Sequence, residues 1–260
     1  MLGFPVAQCA GKILYLAMDR PAQIARAARR QFSETEREIL AERVLFWRGP
    51  PPADIAKKPA MLACLAEAAG ADTVYLDSIK DAAIGLSEDE VGAGYNPARQ
   101  HLLADGRQLA ELHHTVKRGT GGGPPTTVAD IYGSAWITNG TGSIILLTGD
   151  PGDPIVGFRH VRPPADEVGP YQLLHDHDGG NISVYRGADL VELAKATGPD
   201  GLTAKAAAVA MFETRKPTRA EVEKARRRLD KKVADGLLVR MCGSKGGRSG
   251  DGESAWFPAV

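Results

Sequence analysis

Short apolar runs alternate with amphipathic stretches through the first half of the sequence. Four of these runs are typical of buried strands and occupy residues 13–17, 44–47, 73–76 and 108–113. Helical spacing of apolar positions predicts the intervening helices at residues 21–32, 53–69 and 96–103. Strands that alternate with helices are typical of a parallel sheet that helices cover on both faces.

The next apolar runs are separated by short turns instead of helices. They predict four further strands, at residues 143–148, 155–160, 171–175 and 182–185. Strands joined by short turns pair antiparallel, so we expect them to form an antiparallel side of the same sheet. Between the two groups of strands, residues 117–125 read Lys-Arg-Gly-Thr-Gly-Gly-Gly-Pro-Pro and predict a mobile loop.

The pattern changes again near residue 187, where helical periodicity takes over. Helices are predicted at residues 190–196, 203–212 and 218–234, and strands at residues 237–241 and 254–257. A loop rich in Gly, Ser and Lys separates these two strands. Three helices followed by a two-stranded hairpin are typical of a winged helix-turn-helix, so we predict two domains, residues 1–186 and 187–260.

Composition places the chain among ordinary globular proteins, with 43% hydrophobic and 25% charged residues. No apolar run reaches the ~18 residues of a membrane span, and no signal-peptide pattern follows Met1. Cys9, Cys64 and Cys242 are widely separated and have neither metal-ligand nor redox spacing. We therefore expect a cytoplasmic protein with reduced thiols and no membrane partner.

The net charge is zero, but one helical segment is strongly basic. Residues 215–240 contain ten Lys or Arg and four Asp or Glu. The apolar stripe of the predicted helix 218–234 leaves four cations exposed, as on a DNA-recognition helix: Lys224, Arg227, Arg228 and Lys231. Lys245 adds a cation in the predicted wing. The alternatives are a solvated helix face and a surface that binds a protein partner.

Polar side chains follow three of the predicted parallel strands. Asp77 and Ser78 end the third strand, Asp19 follows the first, and His113 and His114 end the fourth. Open parallel sheets bind ligands at these strand ends, and an aspartate there is how nucleotide hydrolases hold Mg²⁺. Asp19 is a candidate for polarising an attacking water. The alternatives are a helix cap for Asp19 and structural roles for the histidines.

The region from residue 14 to residue 176 resembles the RepA-type branch of the RecA-like AAA family ATPases, found in plasmid, phage and actinobacterial replication helicases. Five segments carry the resemblance, in the expected order: Tyr15-Leu-Ala-Met-Asp19, Val74-Tyr-Leu-Asp77-Ser78, Leu112-His-His114, Tyr132-Gly-Ser134 and Arg159-His-Val-Arg162. The resemblance covers about two thirds of the chain. It implies a RecA-like core, residues 1–186, ATP and Mg²⁺ as cofactors, and a homo-oligomeric ring.

The resemblance also implies roles for individual residues. Asp77 would hold Mg²⁺ through water, with Ser78 beside the nucleotide, and Asp19 would be the catalytic carboxylate, which is usually Glu in this superfamily. His113 and His114 would sense the nucleotide. Arg162, in preference to Arg159, would reach the nucleotide of the neighbouring subunit, although both could instead face solvent on an edge strand. Loop 117–125 would contact single-stranded DNA, chiefly through Lys117 and Arg118.

One required motif does not occur. ATPases of this type use a Gly-rich loop that ends in Gly-Lys-Ser/Thr to bind phosphates, and no segment of the 260 residues matches it. The sequence therefore leaves two hypotheses open. One is a DNA helicase ATPase whose loop lies upstream of Met1, in replication or else in recombination or repair. The other is a degenerate, ATPase-like scaffold that binds duplex DNA or a replication partner through its winged helix.

A last pattern is His175-Asp-His177, which puts two imidazoles on one side of a predicted strand. No third ligand accompanies them in the sequence. A structural or surface role is therefore the favoured interpretation over a metal site.

Overall fold

The computed structural model describes residues 2, 10–117, 123–150, 152–176, 178–185, 187, 189–212, 214–241 and 254–259. The chain divides into two compact units, Met1–Val184 and Tyr185–Val260. None of the helices in the described ranges is long and apolar enough to cross a membrane.

A four-stranded parallel sheet organises the first part of the first unit. Its strands are β1 (Lys12–Ala17), β2 (Val44–Arg48), β3 (Ala71–Asp77) and β4 (Gln108–Leu112). They lie in the order β2-β1-β3-β4, with every pair parallel. The predicted α/β class with a parallel sheet and flanking helices is confirmed.

The helices of this unit are α1 (Pro21–Gln31), α2 (Arg37–Arg43), α3 (Ala60–Ala69), α4 (Ile79–Ala82), α5 (Asp89–Ala104) and α6 (Ala135–Asn139). The chain moves from β1 to β2 in one direction along the sheet and from β2 to β3 and β4 in the other. Right-handed crossovers therefore place α1 and α2 on one face and α3 and α5 on the opposite face. Helix α2 packs against β1 and β2, and α3 packs against β1 and β3.

The hydrophobic core lies on the α3 and α5 face of the sheet. Leu14, Leu16, Val74 and Leu76 alternate along β1 and β3 and are at most 4% exposed. They pack in one cluster with apolar residues of α3 and α5, including Leu62, Ala66, Tyr95 and Leu102. Full burial of one such leucine stabilises the fold by about 1.5–3 kcal/mol.

A buried ion pair links β4 to α5. Arg99 and Glu111, with side chains 4% and 8% exposed, form a salt bridge of 2.9 Å. The Tyr95 hydroxyl donates to Glu111 Oε1 at 2.7 Å, and Arg99 Nη1 donates to the carbonyl of Ile137 at 2.7 Å. Every charged group of this pair is hydrogen-bonded, which is the condition under which burial of charges is tolerated.

Two predicted helices differ in extent from the observed ones. The helix expected at residues 53–69 begins only at Ala60, because Asp54 Oδ1 accepts from Ala56 N at 2.9 Å in a turn and Pro59 precedes the helix. Helix α5 is longer than the predicted helix. Gly92 and Gly94 in its first turns weaken the helical pattern in the sequence, so these turns were not predicted. A β-carbon on Gly92 would lie 2.2 Å from Ser134 Oγ, so this glycine permits close packing against α6.

The antiparallel strands form a sheet of their own. They are β5 (Ile144–Thr148), β6 (Ile155–Arg162), β7 (Tyr171–His175) and β8 (Ile182–Val184), in the order β5-β6-β7-β8. The prediction of one continuous sheet was wrong. Within the part of the chain that the structure describes, no strand pairing joins β4 to β5, since the long connection between them contains α6 and its own turns.

In its described residues, the second unit contains three α-helices and a small antiparallel sheet. The elements are α7 (Leu190–Ala196), β9 (Leu202–Thr203), α8 (Ala204–Met211), α9 (Arg219–Ala234), β10 (Leu238–Met241) and β11 (Ala255–Pro258). The strand order is β10-β11-β9. Leu202, Met211, Leu229 and Trp256 are buried and form much of its core. The two-residue strand β9 was missed because it is too short to show periodicity.

Candidate functional site

The strand ends that carry polar residues meet at one edge of the parallel sheet. In the observed register, Asp77 at the end of β3 lies opposite Ala17 on β1 and Leu112 on β4. Asp19 follows β1 by two residues, and His113 follows β4 directly. The backbones of these three residues are therefore brought to the same carboxyl edge, where parallel sheets bind ligands.

The carboxylate of Asp77 is held by a tyrosine of the neighbouring strand. The Tyr15 hydroxyl donates to Asp77 Oδ2 at 2.9 Å. Tyr15 lies two residues before Ala17 and so on the same face of the sheet as Asp77, at a diagonal position within reach of a long side chain. Partial burial, together with the hydrogen bond and the negative charge of Asp77, raises the pKa of Tyr15, so the phenol stays protonated as a donor.

Tyr15 is the centre of an aromatic row across this face. The row runs from Phe46 on β2 through Tyr15 to Tyr75 on β3, with ring centroids 5.6 and 5.9 Å apart. The rings of Tyr15 and Tyr75 are nearly parallel, at 7°. The row restricts the Tyr15 ring and thereby the position of its hydroxyl beside Asp77.

Ser78 and Asp19 have different environments. Ser78 is buried, and its hydroxyl donates to Asp81 Oδ2 at 2.8 Å, so it is already engaged within the protein. The Asp19 side chain is half exposed and lies 3.4 Å from Arg20 Nε. It does not cap α1, whose N-cap residue is Arg20 and has no side-chain capping hydrogen bond. The capping interpretation of Asp19 was therefore wrong, and its carboxylate faces solvent near the sheet edge.

His113 is partly buried and has one nitrogen available as an acceptor. Its Nε2 lies 2.6 Å from the carbonyl oxygen of Tyr132, so Nε2 carries the proton and donates. Burial lowers the pKa of His113, and the neutral ring leaves Nδ1 as an acceptor. Nδ1 is buried without a hydrogen-bond partner among the described residues. His114 is exposed, and the centroids of the two imidazole rings are 6.4 Å apart.

The two arginines on β6 have opposite environments. Arg162 is partly buried, and its Nη1 donates to the carbonyls of Thr138 and Thr141, at 2.6 and 3.4 Å. It thus binds carbonyls at the carboxyl end of α6, where cations are favoured. Arg159 is exposed. The preference for Arg162 as the arginine that reaches a neighbouring subunit is therefore not supported by its contacts, and Arg159 is the more accessible guanidinium.

His160, between these arginines, is a structural histidine. Its Nδ1 accepts from Val168 N at 3.2 Å, so Nε2 carries the proton and donates to Ser143 Oγ at 2.9 Å. A serine oxygen that accepts from a histidine is not activated as a nucleophile. The pair instead links β6 to the start of β5.

The base of the predicted DNA-binding loop is tied together. Thr115 and Ile131 form an isolated antiparallel bridge. Buried Asp130 accepts from the backbone N–H groups of Thr126 and Thr127, at 2.7 and 2.9 Å. Lys117 is exposed at the described end of the loop. The predicted contact Arg118 lies outside the described residues.

The cations predicted on a recognition helix belong to α9, and one of them, Arg227, has a described acidic partner, as does the neighbouring Arg226. Arg226 pairs with Glu223 at 2.6 Å and with Asp230 at 2.9 Å, and Arg227 lies 3.4 Å from Glu223. The hydrogen bonds from Arg226 are the main reason that the pKa of Glu223 is lowered to about 2. Lys231 is exposed, Lys224 and Arg228 are half-buried, and Lys245 lies outside the described residues.

Asp230 also joins α9 to the hairpin of the second unit. Trp256 Nε1 donates to Asp230 Oδ1 at 3.2 Å, and Arg240 Nη1 lies 3.4 Å from the same oxygen. The Arg240 guanidinium stacks 5.1 Å above the Trp256 ring. These contacts fix the hairpin against the helix. The sequence pattern alone gave no sign of them, because the three residues are far apart in the chain.

The His175-Asp-His177 pattern yields no metal site in the described ranges. His175 is half-buried at the end of β7, and His177 lies outside those ranges. No group of three potential metal ligands occurs among the residues whose structure is described.

No protein-family model matches the chain, and no curated protein matches it significantly. The functional assignment therefore depends on the residues and their geometry.

Proposed function

We propose that the first unit is a RecA-like ATPase core of the RepA type and that it serves a DNA helicase or another replication or recombination protein. The observation that carries this proposal is the carboxyl edge of the parallel sheet. Asp77 ends β3 there and accepts a hydrogen bond from Tyr15, while Asp19 and His113 follow the two adjacent strands. Adjacent strand ends with this chemistry are what nucleotide hydrolases use around the phosphates.

The residues fit part of what a Mg²⁺ nucleotide requires. Mg²⁺ keeps several waters and needs only one or two protein carboxylates together with substrate phosphates. Asp77 meets that need, since only its Oδ2 has a hydrogen bond from Tyr15. When bound, Mg²⁺ would supply charge neutralisation at the phosphates. Ser78 does not fit as a direct ligand in its observed rotamer, because its hydroxyl donates to Asp81.

The residues at the carboxyl edge do not include a phosphate-binding loop. No Gly-Lys-Ser/Thr loop occurs in the 260 residues. In this proposal, hydrolysis depends on such a loop from outside this sequence. The sequence by itself would bind a Mg²⁺ nucleotide weakly and would turn it over poorly.

The second unit supports a DNA-binding role. Its elements follow in the order helix, strand, helix, helix, strand, strand, and the three strands form one antiparallel sheet. This is the order of a winged helix-turn-helix, in which α9 would be the recognition helix. Ring assembly is part of the same proposal, with Arg159 as the exposed arginine available to a neighbouring subunit.

The test is Mg²⁺-dependent nucleotide binding by the chain, measured with a fluorescent ATP analogue. We expect binding that requires Mg²⁺ and that Asp77→Asn weakens by about tenfold or more, as loss of a metal-positioning group does. Asp105→Asn, which removes an exposed carboxylate near the end of α5, is the matched control and should have no effect. Binding that ignores both Mg²⁺ and Asp77→Asn would contradict the assignment.

The second candidate function is a scaffold that binds DNA or a replication partner and does not turn over ATP. The missing phosphate loop favours it, as does Arg162, which is engaged at the end of α6. Salt-sensitive DNA binding combined with no detectable Mg²⁺ nucleotide binding is the result expected of this scaffold.

A further inference from the structure

Helix α1 carries an unusual concentration of positive charge. Its eleven residues, PAQIARAARRQ, contain Arg26, Arg29 and Arg30 and no acidic residue. None of the eleven residues is buried, and all three arginines are exposed. The helix is therefore a positively charged surface of the first unit.

The arginines of α1 lie on one side of the helix. Arg26 and Arg30 are four residues apart and Arg26 and Arg29 three apart, which places them side by side on the helical surface. Gln23 precedes Arg26 by three residues and extends the same side with an amide. Like charges at these spacings repel and weaken an isolated helix.

Nothing in the described part of the chain neutralises Arg26 or Arg29. Neither has a carboxylate within ion-pair distance there, whereas Arg37 of the next helix pairs with Glu34 at 3.4 Å. The helix dipole favours cations in the last turn, which accounts for Arg29 and Arg30. It does not account for Arg26, which lies in the middle of α1, so internal stability does not explain the whole set.

The opposite side of α1 limits the kind of anionic partner. Ile24, Ala25 and Ala28 are half-buried there, and the only large apolar side chain among them is Ile24. A helix that lies in a membrane surface presents a broad face of Trp, Phe and Leu to the lipid. The small apolar side of α1 does not provide it, so the charge favours a partner in water.

From this combination we infer that α1 is a nucleic-acid contact surface, on which Arg26 and Arg29, extended by Arg30 and Gln23, bind backbone phosphates. Guanidinium groups bind phosphate oxygens in bidentate fashion. None of these residues is aromatic, so the contact depends on phosphate charge and not on base sequence. It is a sequence-independent site, additional to the contacts proposed for loop 117–125 and for α9.

The test is the affinity of the full chain for a short fluorescein-labelled oligothymidine, measured by anisotropy from about 50 to about 200 mM salt. We expect Arg26→Gln/Arg29→Gln to weaken binding at low salt by about tenfold and to reduce the slope of log K against log salt by about 1.4, the value for two lost contacts to a single strand. The matched control, Arg37→Gln/Lys57→Gln, removes two exposed cations from the same unit and should leave both quantities unchanged.

Two further measurements separate the outcomes. Gln is nearly as good a helix former as Arg, so the far-ultraviolet circular dichroism of the variant should match that of the unaltered chain. The titration contains neither Mg²⁺ nor nucleotide, which makes this inference independent of the nucleotide site. An unchanged affinity and salt slope in Arg26→Gln/Arg29→Gln would overturn it. Arginine-dependent binding to phosphatidylserine vesicles without oligonucleotide binding would overturn it in favour of a membrane.

Discussion

Helices α1 and α9 are both rich in arginine, but their arginines have opposite surroundings. In α9, Arg226 and Arg227 are neutralised by Glu223 and Asp230 of the same helix. In α1, no acidic residue occurs, and Arg26 and Arg29 have no ion-pair partner in the described structure. The sequence count favours the region of α9 as the DNA surface, whereas the arginines without a described ion-pair partner lie on α1. A local excess of Lys and Arg is therefore a poor guide to free positive charge.

The largest expected effect is the loss of fold stability when an arginine is removed from a buried ion pair. Arg99→Ala should destabilise the fold by about 3–5 kcal/mol, because it leaves Glu111 buried and uncompensated. Arg226→Ala should have a much smaller effect, since its pairs are partly exposed and are screened by water. Urea unfolding monitored by circular dichroism measures both. Similar losses for the two variants would contradict the view that burial decides the value of these pairs.

The next effect compares the two helices directly in DNA binding. Arg26→Glu/Arg29→Glu should weaken oligonucleotide binding at low salt by more than about tenfold. Arg227→Glu/Arg228→Glu in α9 should have the smaller effect, because Arg227 already has an ion-pair partner in Glu223, at 3.4 Å. Anisotropy titrations of both variants at one salt concentration give the ratio. If the α9 variant lost more affinity than the α1 variant, the ranking of the two surfaces would be wrong.

The smallest expected effect comes from releasing the α9 cations. Glu223→Gln removes the partner of Arg226 and Arg227, so DNA binding should strengthen and its salt slope should steepen by about one unit. Lowering the pH should not strengthen DNA binding in the same way until the pH is strongly acidic. The pKa of Glu223 is lowered to about 2, so its pairing is complete above its usual pKa and is lost only as the pH falls toward 2.

An oligonucleotide affinity that rose steeply between neutral pH and pH 5 would show that Glu223 is not the group that masks these arginines. An unchanged affinity in Glu223→Gln would show that Arg226 and Arg227 do not face the nucleic acid.

The strands of the parallel sheet could be predicted because their apolar runs are short, dense and bounded by turns. Apolar residues such as Leu14, Leu16, Val74 and Leu76 identify β1 and β3 without reference to the rest of the chain. Whether β5–β8 continue the same sheet could not be predicted, since strand pairing across a long connection depends on tertiary packing. Helix α5 was underestimated for a similar reason, because Gly92 is needed for a close approach that only the folded chain reveals.

The candidate site could be predicted in position but not in detail. The residues at strand ends, Asp19, Asp77 and His113, follow from periodicity and the parallel arrangement. The role of Tyr15 depends on a diagonal relation between neighbouring strands, and that relation requires the register. The engagement of Arg162 at α6 depends on an element distant in sequence. Side-chain contacts between different elements could therefore not be predicted from the sequence alone.

The most direct test of the nucleotide-binding account is to map where a Mg²⁺ nucleotide binds. An NMR titration of the ¹⁵N-labelled chain with Mg²⁺ and a non-hydrolysable ATP analogue would report on each backbone amide. If Asp77 positions a Mg²⁺ nucleotide, the largest shifts should fall at the carboxyl edge, on Asp19, Asp77, Ser78 and His113, and should disappear in Asp77→Asn. Shifts confined to other regions, or shifts that persist in Asp77→Asn, would contradict it.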